Sequence, residues 1–200
     1  LSVENLEPEL CSRYCALVIE NIKVGPSPKW LKDRLFAIGL RPINNIVDIT
    51  NFVMMEYGQP LHAFDRDLLT GNKIVIRRAK KGELFSSLDG TELKLEQDAL
   101  VIADGDKPVA LAGIMGGTNS QVSETTSHVV LESACFDPAT IRKGSKKYGL
   151  RSDSSYRFER GVDLKGVVSA QARAALLIKE LAGGEICSGR VDIYPEEEKP

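Results

Sequence analysis

Apolar residues recur along this chain with two different periods, and the change of period divides it. Tyr14 to Val24 (YCALVIENIKV) is a β-branched, apolar run, which predicts a strand. Gly25-Pro26-Ser27-Pro28 ends it, and Leu31, Leu35 and Ile38 then recur at the spacing of an amphipathic helix. Ser27 is the candidate N-cap, Pro28 suits the first helical position, and Gly39 supplies the stop. A second helix is predicted from about Asn45. It has Asp48 as a capping partner, Ile46, Ile49 and Val53 on one face, and its end at Gly58 before Pro60. Thr50 and Asn51 ride on this helix, and Pro60-x-His62 reads as a turn.

From Lys73 the pattern becomes short β-rich runs: KIVIRRA, GELFSSLDGTELKL, ALVIADGDKPVALAGI and HVVLESACF. Asp89-Gly90 and Asp104-Gly105 separate strands within them, which predicts a sheet of hairpins. Helical spacing returns after Asp137-Pro138, which caps a short helix through Ile141. Val167, Ala170, Ala174, Leu177 and Leu181 then predict a long helix ended by Gly183-Gly184. Arg190 to Tyr194 (RVDIY) offers one last strand. The expected class is α+β: mixed sheets of β-hairpins flanked by helices, in two intimately packed sub-lobes of one module spanning 1–200. Its expected parts are a strand-helix part over about 1–70, a β-rich core over about 71–136 and a helical part over about 137–194.

Composition narrows the function classes. A length of 200 residues with 42% hydrophobic content can bury a substantial core. The 26 basic and 28 acidic residues give a net charge of −2, so any nucleic-acid contact must be local rather than driven by a global positive field. Cys11, Cys15, Cys135 and Cys187 lack CxxC or zinc-finger spacing, which argues against a structural metal or a disulfide scaffold and makes a reducing cytoplasm the expectation. No apolar run approaches the roughly 20 residues of a membrane span. The opening without Met and the acidic ending PEEEKP suggest a domain cut from a longer polypeptide.

The chemistry-bearing positions are few. There is no GxxxxGK[ST] or GxGxxG loop, and Gly113-Ile114-Met115-Gly116-Gly117 has no helix pattern after it, so no nucleotide cradle is expected. Those glycines mark a turn, a bulge or a close ligand approach. His62 and His128 are the only histidines; His128 reads as solvated, whereas His62 is held in place for a structural or functional role. In VVLESACF, alternation puts Val130, Glu132 and Ala134 on one face and Leu131, Ser133 and Cys135 on the other. A carboxylate there either lines a pocket or sits on an edge strand facing water. Lys143 to Asp163 carries Lys143, Lys146, Lys147, Arg151, Arg157 and Arg160 with Tyr148, Tyr156 and Phe158 interleaved. This segment is a candidate for phosphate contacts and base stacking, or a solvated loop paired internally through Asp153, Glu159 and Asp163.

RPINNIVDITNFVMMEYGQPLHAFD, LVIADGDKPVALAGIMGG and VVLESACFDPATIRKGSKKYGLRSDSSYRFERGVD, in this order, resemble the central editing module of the bacterial phenylalanyl-tRNA synthetase beta subunit. The resemblance runs from about Tyr14 to Tyr194. It implies a site between two sub-lobes that hydrolyses the ester of tyrosine wrongly attached to phenylalanine tRNA. The physical need is that a pocket shaped for phenylalanine rejects an added hydroxyl only about a hundredfold, whereas a site that hydrogen-bonds the hydroxyl discriminates by about ten-thousandfold or more.

By the same resemblance Glu132 accepts the tyrosine hydroxyl and Gly116 offers backbone at the pocket wall. Thr50 and Asn51 lie on the helical side, Pro60 and His62 form the facing turn, and Arg41 is a further site position. Ser152 and Ser154 stand where the family often has Thr and Ala. No Ser/His/Asp triad is evident. His62, with Asn51 and Thr50, forms the catalytic set, His62 orienting water or acting as base, unless the terminal ribose hydroxyl does part of that work. No metal or cofactor is expected in the module. The implied parent, a cytoplasmic phenylalanine–tRNA ligase, uses ATP and Mg2+ and pairs with an alpha subunit as α2β2. It binds the tRNA 3′ end, with no membrane or DNA partner. Two other classes stay open: a tRNA-docking module with an inactive pocket, and a free-standing deacylase acting in trans.

Overall fold

The computed structural model describes residues 1–194, so the acidic ending lies outside the described residues. In chain order the elements are β1 (Ser2–Asn5), β2 (Cys11–Glu20), α1 (Lys29–Ala37), α2 (Asn45–Tyr57), β3 (Leu61–Asp65), β4 (Lys73–Arg78), β5 (Glu83–Ser86) and β6 (Glu92–Leu95). They continue with β7 (Leu100–Ala103), β8 (Pro108–Leu111), β9 (Met115–Gly116), β10 (Val129–Phe136), α3 (Pro138–Tyr148), α4 (Asp153–Phe158), α5 (Gly166–Ala182), β11 (Glu185–Ile186) and β12 (Val191–Ile193). One sheet has the order β1-β4-β7-β8-β9; a second has β11-β2-β10-β3, with β12 also pairing β2; β5 and β6 form a separate hairpin. The class is α+β. Among the described residues no helix is long and apolar enough to cross a membrane.

The period-two pattern of β10 explains how the layers meet. Val130, Ala134 and Phe136 pack with Tyr14, Ala16, Phe64 and the strands of the first sheet in one core. Val129 and Leu131 face a second core, built with Ile46, Ile49 and Val53 of α2 and Ala170, Ala174 and Ile178 of α5. The second sheet is therefore the partition between two cores, buried on both faces, and β10 lies inside it between β2 and β3. This position removes the edge-strand reading of Glu132, which is only 7% exposed.

Several expected boundaries and roles move. The first strand runs from Cys11 to Glu20 and ends where Asn21 takes a φ of 57°. Ser27 does not cap α1; its hydroxyl donates to Asp48 Oδ2 at 2.5 Å, while Asp48 Oδ1 accepts from the N–H of Ile43 at 2.8 Å. Buried Asp48 thus joins the entries of both helices, and α2 is capped instead by Asn44, whose Oδ1 accepts from the N–H groups of Ile46 and Val47. Gly58 ends α2 at a φ of 73°, a conformation that favours glycine.

Leu61–Asp65 is a strand and not a turn. The β-rich middle is not one sheet of hairpins, because HVVLESACF leaves it to pair with β2 and β3, and β1 adds to β4 in parallel. The helix after Asp137 continues past Ile141 to Tyr148, and α4 occupies part of the segment read as loop.

Candidate functional site

Strand register brings three polar side chains into a row on one face of the second sheet. Glu132 on β10 is directly opposite His62 on β3, and Tyr14 on β2 is opposite Ala134, one diagonal step from Glu132. The Tyr14 hydroxyl donates to Glu132 Oε2 at 2.6 Å. Burial pushes the Glu132 carboxyl up to about 7, while the Tyr14 bond pulls the other way. Tyr14 itself is raised well above the ordinary phenol range by burial and by the neighbouring carboxylate.

The His62 and Phe64 rings meet in a T-shaped contact, with centroids 4.5 Å apart. The residue as a whole is half-buried, but Nε2 is enclosed and has no hydrogen-bond partner among the described residues. Burial alone lowers its pKa to about 4, so the imidazole is neutral at neutral pH. An enclosed ring nitrogen with nothing to bond to is costly unless something arrives to meet it.

The facing wall is the tight turn from β8 to β9. Gly113 takes a φ of 66° there, and Ile114 N–H returns to the carbonyl of Leu111. Gly116 lies directly against His62: a Cβ at that position would sit 2.5 Å from Cε1 and 2.9 Å from Nε2. Between the walls is a cavity of about 50 Å³, lined among others by Pro60, His62, Ile114, Gly116, Glu132 and Ser154. The α4 helix closes one side, anchored by Phe158 edge-on to Phe136 at 5.0 Å. Gln59 holds the approach to β3 by donating to the carbonyls of Pro60 and Ala134.

Of the residues expected at the site, the structure gathers Glu132, Gly116, Pro60, His62 and Ser154 around this cavity. Ser152 does not line it: its hydroxyl donates to the Ile114 carbonyl at 2.7 Å and accepts from the N–H of Ser155, capping α4 and pinning the β8–β9 turn. Thr50 spends its hydroxyl on the carbonyl of Val47 within α2. Asn51 is half-buried on α2, Arg41 is exposed between α1 and α2, and neither lines the cavity. His128 lies apart, its Nδ1 2.9 Å from Asp67. Tyr14 was not expected; it reads as one apolar strand residue among several, and only sheet order sets it beside Glu132. Among the described residues no cluster of His, Cys, Asp and Glu could hold a metal ion.

The sequence matches the B3/4 domain model over residues 10–183. The chain belongs to the B3/4 domain family. This B3/4 domain is similar to the phenylalanine–tRNA ligase beta subunit of Carboxydothermus hydrogenoformans, with 52% identity over 100% of the chain and 25% of that protein. It is also similar to that of Geobacter metallireducens, with 57% identity over 94% of the chain and 24% of that protein. It thus spans about a quarter of the length of the curated relatives it matches and corresponds to one segment of such a beta subunit. The crystal structure of an N-terminal fragment of the phenylalanyl-tRNA synthetase beta-subunit from Pyrococcus horikoshii shares its fold. That match has a TM-score of 0.61 at 13% identity and covers 96% of this chain and 53% of the other.

Proposed function

We propose that this B3/4 domain is the proofreading module of a phenylalanine–tRNA ligase, hydrolysing the ester that joins a mistaken tyrosine to phenylalanine tRNA. The observation that carries the reading is Glu132. It is a buried carboxyl at the floor of a cavity, held on one oxygen by Tyr14 and facing a neutral His62 with an unpartnered ring nitrogen. A tyrosine hydroxyl donating to this carboxyl satisfies it, whereas a phenylalanine ring covers it without a bond and leaves a desolvated acceptor.

In the reaction, water attacks the aminoacyl carbonyl and a ribose oxygen of the tRNA leaves. A histidine with a pKa of about 4 is a weak base, so His62 acts chiefly by holding the water through Nε2. Asn51 and Thr50, both on α2 and off the cavity, take no direct part in this scheme until substrate brings them closer. Arg41, exposed, suits a contact with the RNA portion of the substrate. An apolar cavity of about 150 Å³ is known to accept benzene, and the cavity here is smaller, about 50 Å³. A bound phenol therefore requires the rim to yield, and half-buried, unbranched Met115 is the side chain there best suited to move.

The parent ligase would attach phenylalanine to its tRNA with ATP and Mg2+ in an α2β2 assembly in the cytoplasm. That synthetic chemistry is assigned to parts of the enzyme outside this chain. The test is hydrolysis of tyrosyl-tRNA and phenylalanyl-tRNA by the intact enzyme, by its Glu132→Ala and His62→Ala variants, and by this chain alone. Tyrosine-selective hydrolysis that disappears with Glu132→Ala is expected. Absence of hydrolysis by the unaltered enzyme would leave this domain as a tRNA-docking part.

A further inference from the structure

The helix α4 has two sides. Ser154 and Phe158 face the cavity, while Ser152, Asp153, Ser155, Tyr156 and Glu159 line a larger groove between α4 and α3, about 760 Å³ in volume. The cations Arg142, Lys146, Arg151 and Arg160 line the same groove.

The pairing of charges in this region is uneven. Of the cations that do not line the groove, Lys147 pairs with Asp98 and Glu96, and Arg157 pairs with Asp153 at the groove's border. Inside it, Arg160 pairs with Glu159, whereas Arg142, Lys146 and Arg151 have no ion pair among the described residues. Arg142 and Lys146 are one helical turn apart on the same face of α3, an arrangement of like charges that disfavours the helix when nothing neutralises it. Lys146 gains from the C-terminal helix dipole; Arg142 and Arg151 have no such compensation. The acidic groups bordering the groove, Asp153 and Glu159, are both already engaged.

The aromatic residues of the segment also separate by role. Phe158 is in the core, and the Tyr148 hydroxyl accepts from the N–H of Glu96. Tyr156 is 56% exposed, with the Arg160 guanidinium 3.6 Å over its ring. A solvent-facing ring backed by a stacked guanidinium, beside three unneutralised cations, is the combination that tracks a single nucleic-acid strand: charge for phosphates and a flat face for a base.

We propose that the α3–α4 groove binds the phosphodiester backbone of single-stranded RNA, with Tyr156 as a stacking platform for one base. The choice of RNA rests on the proofreading reading, since α4 then separates a site for the aminoacyl group from a site for the strand that carries it. The polyanion site itself rests on the charges alone.

The experiment is fluorescence anisotropy of this chain with a labelled, unacylated single-stranded RNA of about ten nucleotides, titrated at several salt concentrations. Each phosphate contact on a single strand contributes about 0.7 to the salt slope. The double change Arg142→Glu with Lys146→Glu is expected to weaken binding at least tenfold and to reduce the slope by about 1.4. Tyr156→Ala is expected to weaken binding by roughly tenfold to a hundredfold. The double change Lys29→Glu with Arg34→Glu, both exposed on α1, alters net charge by the same amount, is expected to leave affinity within about twofold and controls for net charge. Circular dichroism of each variant establishes that it is folded.

Unchanged affinity in the folded double variant overturns the site, and equal competition by inorganic polyphosphate with no effect of Tyr156→Ala overturns the RNA assignment. In the intact ligase the double variant is expected to raise KM for tyrosyl-tRNA hydrolysis with kcat retained; an unchanged KM overturns a functional role for the groove. Failure of the proofreading reading looks different. In that case RNA binding depends on Arg142 and Lys146 while no tyrosine-selective hydrolysis is found.

Discussion

The phenol of Tyr14 donates a 2.6 Å hydrogen bond to Oε2 of Glu132, joining two buried side chains 118 residues apart in the chain. The bond leaves the carboxyl group with one oxygen already occupied, so a ligand hydroxyl meets a carboxyl of defined orientation rather than a freely rotating one. It also partly offsets the cost of burying an ionisable group between two sheets.

Tyr14→Phe keeps the ring in the core and removes only the donor. The change is expected to cost about 1–3 kcal/mol, because a buried carboxyl oxygen loses its partner. Since the Tyr14 bond lowers the Glu132 pKa, its loss is expected to move that pKa above about 7. Urea denaturation at neutral pH reads the first effect and an NMR titration of the Glu132 carboxyl reads the second. Unchanged values in both would show the bond to be energetically idle.

Glu132→Gln carries a pH signature. The folded pKa of Glu132 is raised from 4.5 to about 7, so its contribution to stability is fully present below 4.5 and is lost as pH rises through about 7. The loss is on the order of 3 kcal/mol. A glutamine keeps an acceptor for Tyr14 and does not ionise. The variant is therefore expected to melt above the unaltered protein at pH 8 and level with it at pH 4, as measured by Tm across that range.

His62 has the opposite sign. Its pKa is lowered from 6.5 to about 4, so its contribution is present above 6.5 and disappears as pH falls through about 4. The Cε1 proton resonance of His62 is expected to show no titration step near pH 6.5 and a step near 4. A normal midpoint would return His62 to the role of general base.

Gly116→Ala inserts a methyl group 2.5 Å from His62 Cε1. Overpacking of this kind costs about 1–3 kcal/mol, and here it also displaces the imidazole. Ester hydrolysis is expected to fall at least tenfold while the protein remains folded, which a deacylation assay and a Tm measurement together establish. Full activity would mean that the ring swings aside freely.

Asp48→Ala removes the acceptor shared by the buried Ser27 hydroxyl and the part-buried Ile43 N–H, so both donors lose their bond. A loss of about 1–3 kcal/mol is expected from equilibrium unfolding, with no change in ester selectivity, since Asp48 does not line the cavity.

Local pattern determined a good deal of this protein. The stripes of Leu31 and Leu35, of Ile46, Ile49 and Val53, and of Val167, Ala170, Ala174 and Leu177 mark α1, α2 and α5, because a helix face repeats over neighbouring turns. Period-two alternation likewise put Val130, Glu132 and Ala134 on one face of their strand. The motifs that resemble an editing module are continuous stretches, so the family was legible before any contact was known.

Pairing was not legible. Leu61–Asp65 is too short and too near Pro60 to stand out as a strand, and the approach of β10 to β2 and β3 involves residues far apart in the chain. Which polar groups were spoken for was equally hidden: Thr50 and Ser152 look free in the sequence but bond to Val47 and Ile114. Alternation says which side chains share a face. Only the order and register of the strands decide that Tyr14, Glu132 and His62 share it together, because those depend on closing long loops around two cores at once.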